Sequence, residues 1–227
     1  MTHLIIVPGI NGSDSVHWQS RWEQQAESPD LAEGTTFARI APASWDEPDL
    51  TDWLAAIDRA VDAAPPGFYF VAHSLGCIAV AAWLAVASAS SANSANSANS
   101  ANSADSADSG NRADRGCAGA FLVAPPDTTA ATFPDEASSF RLSAATTATA
   151  TDTATDTALG VPALLLSSAD DPYCSPARSA ALAEGWAAEH HDVGRFGHLN
   201  SASGLADWPV GRRLLAGFTA AGQHPTP

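Results

Sequence analysis

Phe68-Tyr69-Phe70-Val71-Ala72-His73-Ser74-Leu75-Gly76-Cys77 decides the fold. An apolar run suited to a buried strand passes directly into a small-x-Ser-x-Gly turn, and then into sequence compatible with a helix. Such a turn is how a chain makes serine reactive. The hydroxyl is a poor nucleophile until a base can reach its oxygen and backbone N–H groups can face the developing oxyanion. Ala72 and Gly76, two residues either side of Ser74, are small enough for strand and helix to pass closely. Gly is the more usual residue at the first of these places. Alone, the stretch also fits an ordinary strand-to-helix turn N-capped by Ser74, so its meaning depends on the rest of the chain.

Working outward, short apolar runs alternate with helical patterns. The strands expected are Leu4 to Val7, Thr36 to Ile40, Phe68 to Ala72, Ala118 to Val123 and Ala163 to Ser167, with a weaker one from Glu189 to Val193. Helices are expected over His17 to Glu27, Leu50 to Ala63, Pro176 to Ala188, and from about Asp207 to Ala220. In the second of these, Trp53, Leu54, Ile57 and Val61 share one face; the third has Pro in its first turn. The alternation predicts a three-layer α/β sandwich whose sheet is mainly parallel and has about six strands, the first lying between the second and third. Ligands of such sheets bind beyond the carboxyl ends of the strands, where strand order reverses.

Two stretches stand outside this scheme. Ser88 to Gly110 repeats Ser-Ala-Asn and then Ser-Ala-Asp, and Ser143 to Thr157 is nearly all Ala, Thr and Asp. Neither has a bulky apolar residue to offset the entropy of ordering it. The chain therefore reads as a single domain over 1–227 with low-complexity insertions near 88–115 and 143–158.

Composition narrows the function. The net charge is −15, and all 10 basic residues are Arg. Without a basic stripe, neither nucleic acid nor a membrane surface is an expected partner. No signal peptide or spanning segment is visible. Cys77, Cys117 and Cys174 lack C-x-x-C spacing; they read as buried thiols of a reducing, cytoplasmic protein. No metal site or cofactor is expected.

The loops after the strands supply what a reactive Ser74 needs. Ser168-Ala169-Asp170-Asp171-Pro172 puts two carboxylates at the end of the Ala163 strand, and either could orient a histidine. Gly197-His198-Leu199 follows the last strand and offers the base. Pro8-Gly9-Ile10-Asn11-Gly12 follows the first strand; an N–H of Ile10 or Asn11 could join that of Leu75 in an oxyanion hole. His73 reads as a wall of the site. His17 and Trp18 read as residues lining its entrance, so that all three would contact substrate. Taken singly, each loop has an ordinary explanation as a turn or helix start. Together they provide nucleophile, acid, base and oxyanion donors at the correct strand ends.

As a set these residues resemble the small single-domain serine hydrolases of the retinoblastoma-binding-protein type, an α/β-hydrolase family. The resemblance rests on Val7-Pro8-Gly9 with Gly12-Ser13 and His17-Trp18-Gln19, on Val71 through Cys77, and on Ala124-Pro125-Pro126-Asp127. It continues through Ser168 to Cys174, Gly197 to Asn200, Ser203-Gly204 and Trp208-Pro209. It implies Ser74 as nucleophile, His198 as base and, of the two adjacent carboxylates, Asp171 as the orienting acid. It supplies no substrate.

The expected activity is hydrolysis of carboxylic esters of small molecules through an acyl-enzyme. Two alternatives compete with it: a binding or regulatory protein that keeps the fold, and a flavodoxin-like nucleotide binder. The latter is weakened by the lack of a phosphate-binding glycine motif. Protein partners are not legible.

Overall fold

In the computed structural model, residues 1–25, 31–95, 115–141 and 158–222 are described, the side chains of 86–95 excepted. Most of each low-complexity stretch, the last residues of the helix expected to reach Glu27, and His224 lie outside them.

Parallel strands buried on both faces carry near-continuous apolar sequence, and the central strands do so here. The strands are β1 (His3–Val7), β2 (Thr36–Arg39), β3 (Phe68–His73), β4 (Cys117–Val123), β5 (Ala163–Ser167) and β6 (Glu189–Asp192). They form one sheet in the order β2-β1-β3-β4-β5-β6, and every pairing is parallel. β1 does separate β2 from β3, so the order reverses between the ends of β1 and β3.

Alternate residues of each strand feed the two outer layers. Ile5, Val7, Phe70, Ala72, Leu122 and Leu165 face α2 (Leu50–Asp62), α3 (Leu75–Ala95) and α4 (Pro176–Gly185). Leu4, Ile6, Tyr69, Val71, Phe121 and Val123 pack with Trp18 and Trp22 of α1 (Trp18–Gln24) and with Leu215 of α5 (Pro209–Gly222). Each fully enclosed Leu, Ile, Val or Phe contributes roughly 1.5–3 kcal/mol.

Helix chemistry follows local rules. The Asp49 carboxylate accepts the Asp52 N–H at the start of α2, and Ser175 Oγ accepts the Arg178 N–H ahead of Pro176 in α4. α3 differs: its residues Cys77 to Ala85 are all buried, so this part of the helix is apolar on every side. It packs on the sheet and touches both α2 and a short 3-10 segment, Asp135–Phe140, that was not among the helices expected from the sequence. α3 also continues to Ala95, inside the Ser-Ala-Asn repeat. No helix among the described residues is long and apolar enough to cross a membrane.

Candidate active site

Ser74 occupies the step between β3 and α3 with φ of 52°, a left-handed conformation that costs a non-glycine residue energy. Its N–H donates to the Val123 carbonyl at 2.9 Å, pinning the turn to the end of β4. Two glycines make room. A Cβ on Gly76 would lie 2.3 Å from the Val7 carbonyl oxygen, and one on Gly9 would lie 2.8 Å from Ser74 Cβ. Ala72, where Gly is more usual, is accommodated without exposure.

The loop after β6 brings His198 to this turn. Its Nε2 is 2.8 Å from Ser74 Oγ, and its Nδ1 is 2.9 and 3.0 Å from the two Asp171 carboxylate oxygens. A carboxylate can only accept, so Nδ1 carries the proton and Nε2 accepts from the serine hydroxyl. The His198 and Asp171 side chains are 9% and 2% exposed, so little water competes for these bonds. The Asp171 carboxylate also accepts the Tyr173 N–H, and the Tyr173 ring packs against that of His198.

Asp170 does different work. Its carboxylate accepts the Gly197 N–H at 2.9 Å and the Ser168 hydroxyl at 3.0 Å, while Ser168 Oγ accepts the Phe196 N–H. These bonds tie the β5 loop to the loop that holds His198. The Gly197 N–H, first, and then the Ser168 hydroxyl and Arg195 hold the Asp170 carboxyl below its ordinary range.

His198 is further fixed through its own backbone. His73 Nε2–H donates to the His198 carbonyl at 3.0 Å, and Trp18 Nε1–H donates to the next carbonyl, Leu199, at 2.8 Å. Burial, followed by the neighbouring His17 and His198, holds His73 well below its ordinary pKa. Gln19 anchors α1 below the site: its amide donates to the Val71 carbonyl at 3.0 Å, and its oxygen accepts the Ser13 hydroxyl at 2.6 Å.

A cavity of about 500 Å³ opens over Ser74 and His198. Phe133, Pro134, Ala137, Pro126 and Tyr173 give it an apolar side, while Asp14, His17, Glu136 and Asn200 supply polar groups. The wall formed by Phe133 to Ala137 was missed in the sequence. Its one signal is Pro134 followed by Asp135 and Glu136, a helix-start pattern.

Two sequence expectations need correction. The Asn11 N–H donates to the Trp45 carbonyl at 2.9 Å and is not free for an oxyanion. Among the described residues Ile10 has no such backbone bond, and it lines the cavity together with Leu75, whose N–H, at the first position of α3, has no intrahelical acceptor. Trp18 does not border the cavity; it is 1% exposed beneath the His198 loop, and its indole N–H is spent on that loop. His17 and His73 do border the cavity.

The family model for serine hydrolases matches residues 4–105 and 94–217. The chain belongs to the serine hydrolase family. This serine hydrolase is similar in structure to a YdeN-like hydrolase from Pectobacterium atrosepticum, at 26% identity and a TM-score of 0.68, covering 98% of this chain and 92% of that one. It is also similar to the ydeN gene product of B. subtilis (18% identity, TM-score 0.67, covering 97% and 100%) and to Est1E from Butyrivibrio proteoclasticus (14%, 0.59, 96% and 88%). A search of curated proteins returned no match. Family and fold together make the chain an α/β-hydrolase enzyme, which displaces the binding-protein and flavodoxin-like alternatives. The narrower likeness to the retinoblastoma-binding-protein type is not addressed by these matches.

Proposed function

We propose that this serine hydrolase cleaves carboxylic esters of small molecules with Ser74, His198 and Asp171 as its catalytic triad. The observation that carries the reading is the continuous hydrogen-bonded line from Ser74 Oγ through the His198 ring to the Asp171 carboxylate, with each step between 2.8 and 3.0 Å. His198 Nε2 takes the serine proton as Oγ attacks the ester carbonyl. Asp171 holds the ring in the tautomer that leaves Nε2 free and stabilises the imidazolium that forms. The oxyanion is received by the N–H groups of Leu75 and Ile10. As the tetrahedral intermediate collapses, His198 returns the proton to the departing alkoxide. Water, activated by the same histidine, then releases the acid from the acyl-enzyme.

In this scheme backbone N–H groups meet the charge of the oxyanion and Asp171 meets that of the imidazolium. An acyl group of modest size fits the cavity, which is lined by both apolar and polar residues. The test is labelling by a fluorophosphonate, which phosphonylates an activated serine. Wild type should label within minutes and Ser74→Ala not at all, with p-nitrophenyl acetate turnover falling by roughly 10⁴-fold or more and the melting temperature nearly unchanged. Labelling that survives in Ser74→Ala would remove Ser74 from the chemistry.

A further inference from the structure

His17 is 3% exposed and borders the same cavity as Ser74 and His198, yet among the described residues its Nε2 has no hydrogen-bond partner. Buried polar atoms are ordinarily satisfied, and one left unpaired is costly. The other ring nitrogen fixes the proton's place. His17 caps α1 by accepting the Gln19 N–H at Nδ1, so in the neutral ring the proton sits on Nε2. Burial keeps the ring neutral, lowering its pKa to about 4 against a partial opposing pull from Asp14. The flanking rings of Trp18 and His73 lie beside it without hydrogen-bonding it, their own N–H groups turned to the His198 loop. His17 is thus a donor with its direction set and its partner missing, beside a reactive serine.

We propose that His17 Nε2–H donates a hydrogen bond to an uncharged oxygen of the bound ester. Substrates with an ether, hydroxyl or second carbonyl oxygen near the scissile bond are then the preferred class. The acceptor is uncharged because, among the described residues, the cavity borders two carboxylates, Asp14 and Glu136, and neither Lys nor Arg. A carboxylate on the substrate would be repelled where a neutral oxygen is not. The proposal rests on the ester-cleaving reading of the Ser74 site and adds a residue that selects substrate.

The test uses pairs of esters that differ by oxygen for methylene. On the acyl side these are p-nitrophenyl methoxyacetate and p-nitrophenyl butyrate; on the alcohol side they are 2-methoxyethyl acetate and butyl acetate. His17→Asn keeps an oxygen able to cap α1, but its side chain ends short of the Nε2 position. For at least one pair, the oxygen-to-methylene ratio of kcat/KM should fall about 3- to 10-fold in His17→Asn relative to wild type. That ratio is unaffected by how much variant folds, because both esters meet the same enzyme, and dividing by wild type cancels their difference in intrinsic reactivity. Ratios unchanged within twofold for both pairs would overturn the donor role. Faster wild-type turnover of the p-nitrophenyl monoester of succinate than of the butyrate would overturn the preference for an uncharged oxygen. Turnover that persists in Ser74→Ala would instead sink the reading of the site itself.

Discussion

The middle of the sheet and its carboxyl edge are built from the same strands under opposite demands. In the middle, Ile5, Phe70, Val71, Phe121 and Leu165 are wholly enclosed, and no non-glycine strand residue has a positive φ. At the edge, Ser74 follows β3 and Ala124 follows β4, both with φ of 52°, and Asn11 in the loop after β1 has φ of 64°. Leu199, next to His198, adds another at 51°. Such conformations cost of order 1–3 kcal/mol each and persist only where the surroundings over-determine them. The comparison teaches that the apolar middle supplies the stability and the strained edge uses it to hold reacting groups at fixed separations.

Substitutions at the edge should therefore damage chemistry more than stability, and substitutions where edge meets middle should do the reverse. The largest effect is expected from Asp171→Asn. Its amide can hold His198 in the wrong tautomer and cannot stabilise the imidazolium, so kcat should fall about 10³- to 10⁴-fold with a melting temperature near that of wild type. Parallel kcat and melting measurements check this, and a matching collapse in stability would erase the distinction between the two regions.

Gly76→Ala comes next and probes the junction. The new methyl would meet the Val7 and Pro8 carbonyl oxygens at 2.3 and 2.5 Å, both backbone atoms that cannot swing aside. A loss of about 3 kcal/mol or more in urea unfolding is expected. An unchanged midpoint would show that α3 can slide over β1.

Acid titration sharpens the comparison further. His17 and His73 are both held neutral by burial, so in the folded state each binds a proton less readily than in the unfolded chain. Unfolded histidine binds its proton near pH 6.5, and below that the unfolded state holds more protons. Stability is therefore fully present above about pH 6.5 and falls as pH drops toward 4, by about 1.4 kcal/mol per pH unit for each histidine still neutral in the fold. Urea unfolding at a series of pH values measures the slope. His17→Asn should reduce it, and a slope that is the same in that variant would remove His17 from the linkage.

The smallest effect is expected at Asp170→Asn, because this carboxylate ties one loop to another and touches no reacting atom. A change in kcat of no more than about fivefold is expected. A larger loss than in Asp171→Asn would reverse the assignment of the two neighbours.

How legible each part was follows from what determines it. β5 matches its expected bounds to the residue and the other strands to within a residue at each end; in β1, β3, β4 and β5 an apolar run buried on both faces leaves little freedom. β6 was the weakest expectation, since its Glu-His-His-Asp sequence is exposed throughout and is a strand only through pairing with β5. The spacing of Trp18 and Trp22 marked one helix face correctly. That this face points to the sheet rather than the cavity depends on Gln19 reaching the ends of β1 and β3, a tertiary fact. Asp170 and Asp171 could not be parted by position, since what separates them is which loop each carboxylate meets. The Asp135–Phe140 wall was too short for periodicity to reveal.

One feature of α3 bears on how such a chain can change length. The helix begins immediately after Ser74 and runs for 21 residues to Ala95, which at 1.5 Å per residue sets its far end about 30 Å from Ser74. The chain is next described at Arg115, just before the amino end of β4, on the margin of the sheet remote from the reacting groups. Both attachment points of the repeat thus stand at the rear of the molecule. A reporter module joined at Ala95 and Arg115 would therefore be tethered at points remote from Ser74.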